Sequence, residues 1–171
     1  MIDKTEGVSP RNEGSDRADL KSLLTELARE DLKLKLPLVD AALTGATLAL
    51  KPSNRELRLH AAKIWASIKP TLEDHLRAEN ERLLKWAESR PEFPHALLER
   101  TNREHGKINE LTSEISAIPF ENATDENVAK AAHDLCALAV SLDDMIAGEE
   151  RDLFPMVRRA LFAGVKSRKN H

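Results

Sequence analysis

The sequence is poor in glycine, aromatic residues and cysteine. Six glycines and 4% aromatic content in 171 residues, with no strand-length alternation of Val, Ile and Thr, argue against a β-sandwich or a βαβ layout. With Cys136 as the single cysteine, an internal disulfide is excluded. Cys136 stands among Leu135, Leu138 and Val140, where a small buried hydrophobe is expected and no low-pKa setting for a nucleophile is visible. No apolar run approaches the ~20 residues of a membrane span, and the opening MIDKTEGVSPRNEG lacks a hydrophobic signal core. The expectation is a cytoplasmic protein with no membrane partner. Excess charge is missing as well: 26 basic and 29 acidic residues are interspersed, net −3, which leaves no broad positive field for nucleic acid.

What is present is leucine and alanine at helical spacing. A hydrophobic content of 41% suffices for one domain with its own core, expected as a flexible arm over 1–15, a helical bundle over 16–164 and a short basic tail over 165–171. The first segment carries Leu20, Leu23, Leu24, Leu27, Leu34, Leu38 and Leu43. A cap near Asp16, a kink or split at Pro37 and a stop near Gly45 are expected, and a leucine-rich helix broken at Pro37 would expose apolar surface for a homodimer. Ser53-Asn54-Arg55-Glu56 reads as a capping box opening the second segment. Pro70 interrupts or restarts this segment, which ends at Pro91–Pro94. A third runs from His95 to Pro119 and a fourth starts at Thr124-Asp125-Glu126, with Pro155 and Gly164 near its end. Four amphipathic segments with short connections predict an all-α, up-down-up-down four-helix bundle.

Ionisable residues on the apolar stripes carry the chemistry. In HLRAEN of the second segment, His75 and Glu79 are four residues apart, about 40° apart in projection and one turn along the axis. MIAGEERDLFP of the fourth repeats the pattern with a methionine in place of the histidine: Glu149 follows Met145 as Glu79 follows His75. His105 falls on the stripe formed with Ile108, Ile115 and Ile118. Inward-facing groups of neighbouring helices converge in a bundle, so His75, Glu79, His105 and Glu149 form a candidate ligand set. Two imidazoles and two carboxylates suit iron, manganese or zinc, one ion or two, with the carboxylates able to bridge. His60, His95 and His133 are expected away from this point, Met145 as plain core, and Asp31 as a surface carboxylate, the alternative being that the Pro37 kink rotates the first helix and turns Asp31 inward as a ligand.

With these residues the chain resembles the hemerythrin-like proteins, or HHE cation-binding domains, over about residues 18–162. HLRAE of the second segment, REHGKI around His105 and EERDLFP of the fourth fit the family pattern. The first segment, at LAREDLKLKLP, and Met145 lack the family's histidines. The resemblance implies a hemerythrin-like bundle and a carboxylate-bridged di-iron centre that binds or senses dioxygen, reactive oxygen or nitrogen species, or iron itself. With two imidazoles missing, a reversible oxygen carrier is not expected. The leading reading is a metal-binding protein for sensing or storage. The others are a metal-free bundle serving as a protein-interaction module, its four residues tied into a His–Glu hydrogen-bond network, and a peroxide-consuming di-iron enzyme using the vacated positions.

Overall fold

The computed structural model describes the backbone of residues 13–166 and the side chains of 17–162. The expected arm and basic tail fall mostly outside the described residues, although helix has already begun at Glu13. Four long helical stretches run up-down-up-down. The first is α1, Glu13–Leu50. The second is α2, Arg55–Ala78, continued by a π-helical stretch, Glu79–Leu84, and by α3, Lys85–Glu88. The third is α4, His95–Ser116. The fourth is α5, Asp125–Gly148, followed by a second π-helical stretch, Glu149–Leu153, and α6, Phe154–Lys166.

Local chemistry accounts for most of the boundaries. Asn54 caps α2 by accepting a hydrogen bond from the Leu57 amide at 3.1 Å, so the cap sits one residue later than the expected Ser53 box. Thr124 caps α5 through the Asn127 amide, and Asp125 and Glu126 occupy its positive first turn. Pro37 does not split α1 and Pro70 does not interrupt α2. The carbonyls these prolines leave without an amide partner belong to Lys33 and Ala66, both exposed residues, where water can serve them.

Gly45 does not end α1 either. A Cβ there would lie 2.6 Å from the Ala132 carbonyl oxygen and 2.9 Å from the Cys136 amide nitrogen. The glycine therefore allows α1 and α5 to approach closely rather than terminating a helix. Cys136, half-buried, lies in this contact.

The core comes in two apolar clusters. One gathers Leu34, Leu38, Ile68, Leu72, Ile108, Leu135 and Met145 among others. The second gathers Leu23, Leu27, Leu83, Leu84, Phe93, Phe154 and Val157. Along every long helix the passage from one cluster to the other crosses a buried ionisable residue: Asp31 on α1, His75 and Glu79 at the end of α2, His105 on α4, Glu149 after α5. The bundle thus contains a polar layer between two apolar ones.

Candidate metal centre

Burying carboxylates and imidazoles inside a bundle is costly unless each finds a partner. Asp31, His75 and Glu79 are 0% exposed, and His105 and Glu149 are 2% exposed. None of the carboxylate oxygens of Asp31, Glu79 and Glu149 has a hydrogen-bond partner, nor has either ring nitrogen of His75 or Nε2 of His105. They point at one another instead. His75 Nε2 lies 3.5 Å from Glu79 Oε2 and 3.8 Å from Glu149 Oε2. His105 Nε2 lies 3.3 Å from Glu79 Oε2 and 3.7 Å from Glu149 Oε1. His75 Nδ1 is 3.7 Å from Asp31 Oδ1 and 3.4 Å from Glu30 Oε2. These separations are too long for good hydrogen bonds. They lie at or a few tenths of an ångström beyond the spacing of donors around a shared cation, since two ligands about 2.1 Å from one ion stand roughly 3.0–3.4 Å apart at octahedral to tetrahedral angles.

Among the described residues, two groups of ligand atoms lie close enough to share an ion. Asp31, His75 and Glu149 form one; Glu79, His105 and Glu149 form the other, with all ligand atoms of a group within 4.8 Å of one another. Glu149 belongs to both and offers a different oxygen to each histidine. The two groups therefore share one carboxylate, and their nitrogen and oxygen donors fit iron, manganese or zinc.

Ordinary α-helical spacing brings the two glutamates to the centre, the Glu79 and Glu149 amides still bonding to the carbonyls of His75 and Met145 four residues earlier, and the helical register changes just after them. Glu79 and Glu149 are each the first residue of a π-helical stretch. A π stretch inserts one residue into the helical register, so the side chains on either side of it face the core where a plain α-helix would turn one away. His75 and Glu79 stay one turn apart while Leu83 and Leu84 both stay buried. His105 is oriented from behind. Its Nδ1 lies 2.8 Å from Asn80 Oδ1, and donation of that N–H to the amide oxygen leaves Nε2 as the nitrogen facing the carboxylates.

The charges are strongly coupled. Burial disfavours the His75 imidazolium, but Glu149 and Glu79 outweigh it and push its pKa up to about 10. His105 rises to about 9 by the same balance. Glu79 is desolvated too, yet the adjoining His105 and His75 hold it down at about 2. Burial and the neighbouring Glu79 raise Glu149. Asp31 is raised to about 7 by burial, only partly offset by His75. Without a cation, protonated histidines balance the carboxylates.

The structure brings His75, Glu79, His105 and Glu149 together in one layer, and it corrects the expectation for Asp31. That residue is not a surface carboxylate. It continues the apolar register of Leu24, Leu27, Leu34 and Leu38, and its place on that stripe was the signal for its burial. Glu30, half-buried, and Asn80 complete the surroundings; neither had a periodic signature. His60 pairs with Asp40 in an exposed contact, His95 with Glu99, and His133 is exposed. Met145 is fully buried among the larger cluster's hydrophobes.

The hemerythrin HHE cation-binding domain matches residues 30–157, a span that starts beside Asp31 and includes every residue of the layer. No curated protein and no solved structure matches the chain. The four-helix architecture, the polar layer and a family match over three quarters of the sequence agree, and the chain belongs to the hemerythrin HHE cation-binding domain family.

Proposed function

We propose that this chain binds iron, as one or two ions, in the layer formed by His75, Glu79, His105, Glu149 and Asp31, and serves in sensing or storage within the cytoplasm. The observation that carries the reading is the set of buried oxygens and nitrogens with no hydrogen-bond partner. A metal-free His–Glu network would place these atoms at hydrogen-bond distance, and they stand 3.3–3.8 Å apart. Retaining three fully desolvated carboxylates also makes little sense for stability alone, since apolar replacements of buried ion pairs are often no worse.

Asp31, His75 and Glu149 would hold one ion, and Glu79, His105 and Glu149 the other. Bound iron supplies one-electron redox chemistry and open coordination positions for dioxygen or a reactive oxygen or nitrogen species. The protein's own contributions are orientation, charge and dryness. Asn80 fixes the His105 ring, α-helical spacing sets Glu79 one turn after His75, and the flanking apolar clusters keep bulk water out. Oxygen donors outnumber nitrogen donors, and hard carboxylates favour a higher-valent ion. That balance suits oxidation-linked sensing or retention of iron better than reversible oxygen carriage. Manganese or zinc would fit the same donors.

The test is elemental analysis, with an absorption spectrum, of protein purified without chelators and again after reconstitution. One or two equivalents of iron with charge-transfer absorption are expected. Failure to hold iron, manganese or zinc in stoichiometric amount after reconstitution would overturn the reading.

A further inference from the structure

Helix α1 is apolar on two opposite faces. Its inward face carries Leu34, Leu38, Ala41 and Leu48, all buried. Its outward face carries Leu32 at 67%, Leu36 at 81%, Val39 at 61%, Leu43 at 66% and Leu50 at 84% exposure. Ala46, also exposed, fills the remaining place, so the spacing is 4, 3, 4, 3, 4. That is the heptad spacing by which one helix receives another. A helix that is apolar all round belongs in the interior of an assembly.

We propose that this face is covered by α1 of a second copy of the chain, the two helices packing antiparallel about a two-fold axis between Val39 and Leu43. In this register Leu36 faces Ala46 and Leu43 faces Val39, a larger residue against a smaller one in each case, while Leu32 meets Leu50 at the two ends, so the stripe pairs with itself about the axis, as an isologous interface requires. A groove of about 210 Å³ lies beside the axis, its apolar lining of Val39, Ala42, Ala139 and Val140 accompanied by the charged Lys35, Asp143 and Asp144, so a partner's leucine would enter it between apolar and charged side chains. The stripe spans about 27 Å of helix. With Val140, itself 55% exposed, and the flanking alanines it offers an area near the roughly 800 Å² per partner of a stable interface. The chain's own ends are poor covers. Residues 1–12 contain three large aliphatic side chains, Met1, Ile2 and Val8, and 167–171 contain none.

The experiment is sedimentation and light scattering of the full chain over a dilution series, beside a Leu36→Glu/Leu43→Glu variant and a Phe162→Glu control. The expected result is twice the 19.1 kDa chain mass for the wild type and for the control, whose exposed ring lies on α6, and the single mass for the double variant with its helical circular dichroism unchanged. Leu36→Lys alone, at a fully solvated site, should raise the dimer dissociation constant by about tenfold or more and keeps the test alive if the double variant folds poorly. A wild type that is monomeric at every concentration, including one that takes up a different protein on this face, would overturn the proposal. So would a dimer that survives both variants.

Discussion

The second and fourth helices carry the same device with one substitution between them. Each reaches the polar layer at a glutamate that opens a π-helical stretch, Glu79 and Glu149. One turn earlier the second helix presents the imidazole of His75, with both nitrogens buried and unpartnered, and the fourth presents the thioether of Met145, packed as core. The difference shows that the glutamate and its π stretch persist where the imidazole does not. The glutamate and the π stretch that follows it are common to both helices, and the histidine is present in one of them alone. Helix α1 makes the same point from the other side: Asp31 adds a carboxylate where an imidazole would serve, and the layer becomes richer in oxygen than in nitrogen.

The sharpest way to break this comparison is Glu149→Gln. Glu149 faces both histidines, so both positions should fail together, with iron affinity reduced by more than about 100-fold, since groups that merely orient a ligand already cost about 10–100-fold. Equilibrium dialysis reads this directly, and loss of half the iron would show that Glu149 serves one position alone.

Asp31→Asn should act in two opposite directions. It should weaken iron binding by about 10–100-fold, yet stabilise the metal-free protein at neutral and alkaline pH. The sign follows from the raised pKa of about 7. Ionised Asp31 is disfavoured in the fold, so this residue's contribution to metal-free stability is fully present below its ordinary value of 3.8 and is lost as pH rises through about 7. Melting curves with and without iron separate the two effects.

Met145→His would make the helices alike. An imidazole placed one turn before Glu149 should tighten iron binding on the order of tenfold, about 1.4 kcal/mol, measured by competition with a chelator. Unchanged affinity would mean that position 145 faces past the layer.

The smallest effect concerns protons. His75 and His105, raised to about 10 and 9, are charged in the metal-free fold at neutral pH and must lose their protons to ligate. Their contribution to metal-free stability is fully present below about 6.5 and lost as pH rises through 9 to 10. Iron uptake near pH 7.5 should release about two protons, detectable by calorimetry in buffers of different ionisation enthalpy. Metal affinity should climb with pH until about 10.

Much of this was legible in the residues because periodicity and caps are local. The leucine spacing of α1, the cap at Thr124 and the HLRAE register specify helices and an inward stripe without reference to neighbours. His75, Glu79, His105 and Glu149 could be gathered because each sits on such a stripe. Asp31 sat on one too, but the usual exposure of aspartate outweighed its register, and only the proximity of His75 across the bundle reverses that preference. Pro70 and Gly45 were misread for a related reason. A proline need not end a helix where the carbonyl it frees is exposed to water, as at Ala66, and a glycine need not end one where a second helix packs against it, as at Gly45. The π stretches left no local mark, since a one-residue insertion is set by the layer the helix must reach.

The most direct test is a crystal structure of the iron-loaded protein with anomalous diffraction at the iron edge. The account predicts density inside the bundle between Glu149 and the two histidines, with Asp31 and Glu79 on its outer sides. Iron bound at the surface, with Asp31, His75, Glu79, His105 and Glu149 left in contact only with one another, would contradict it.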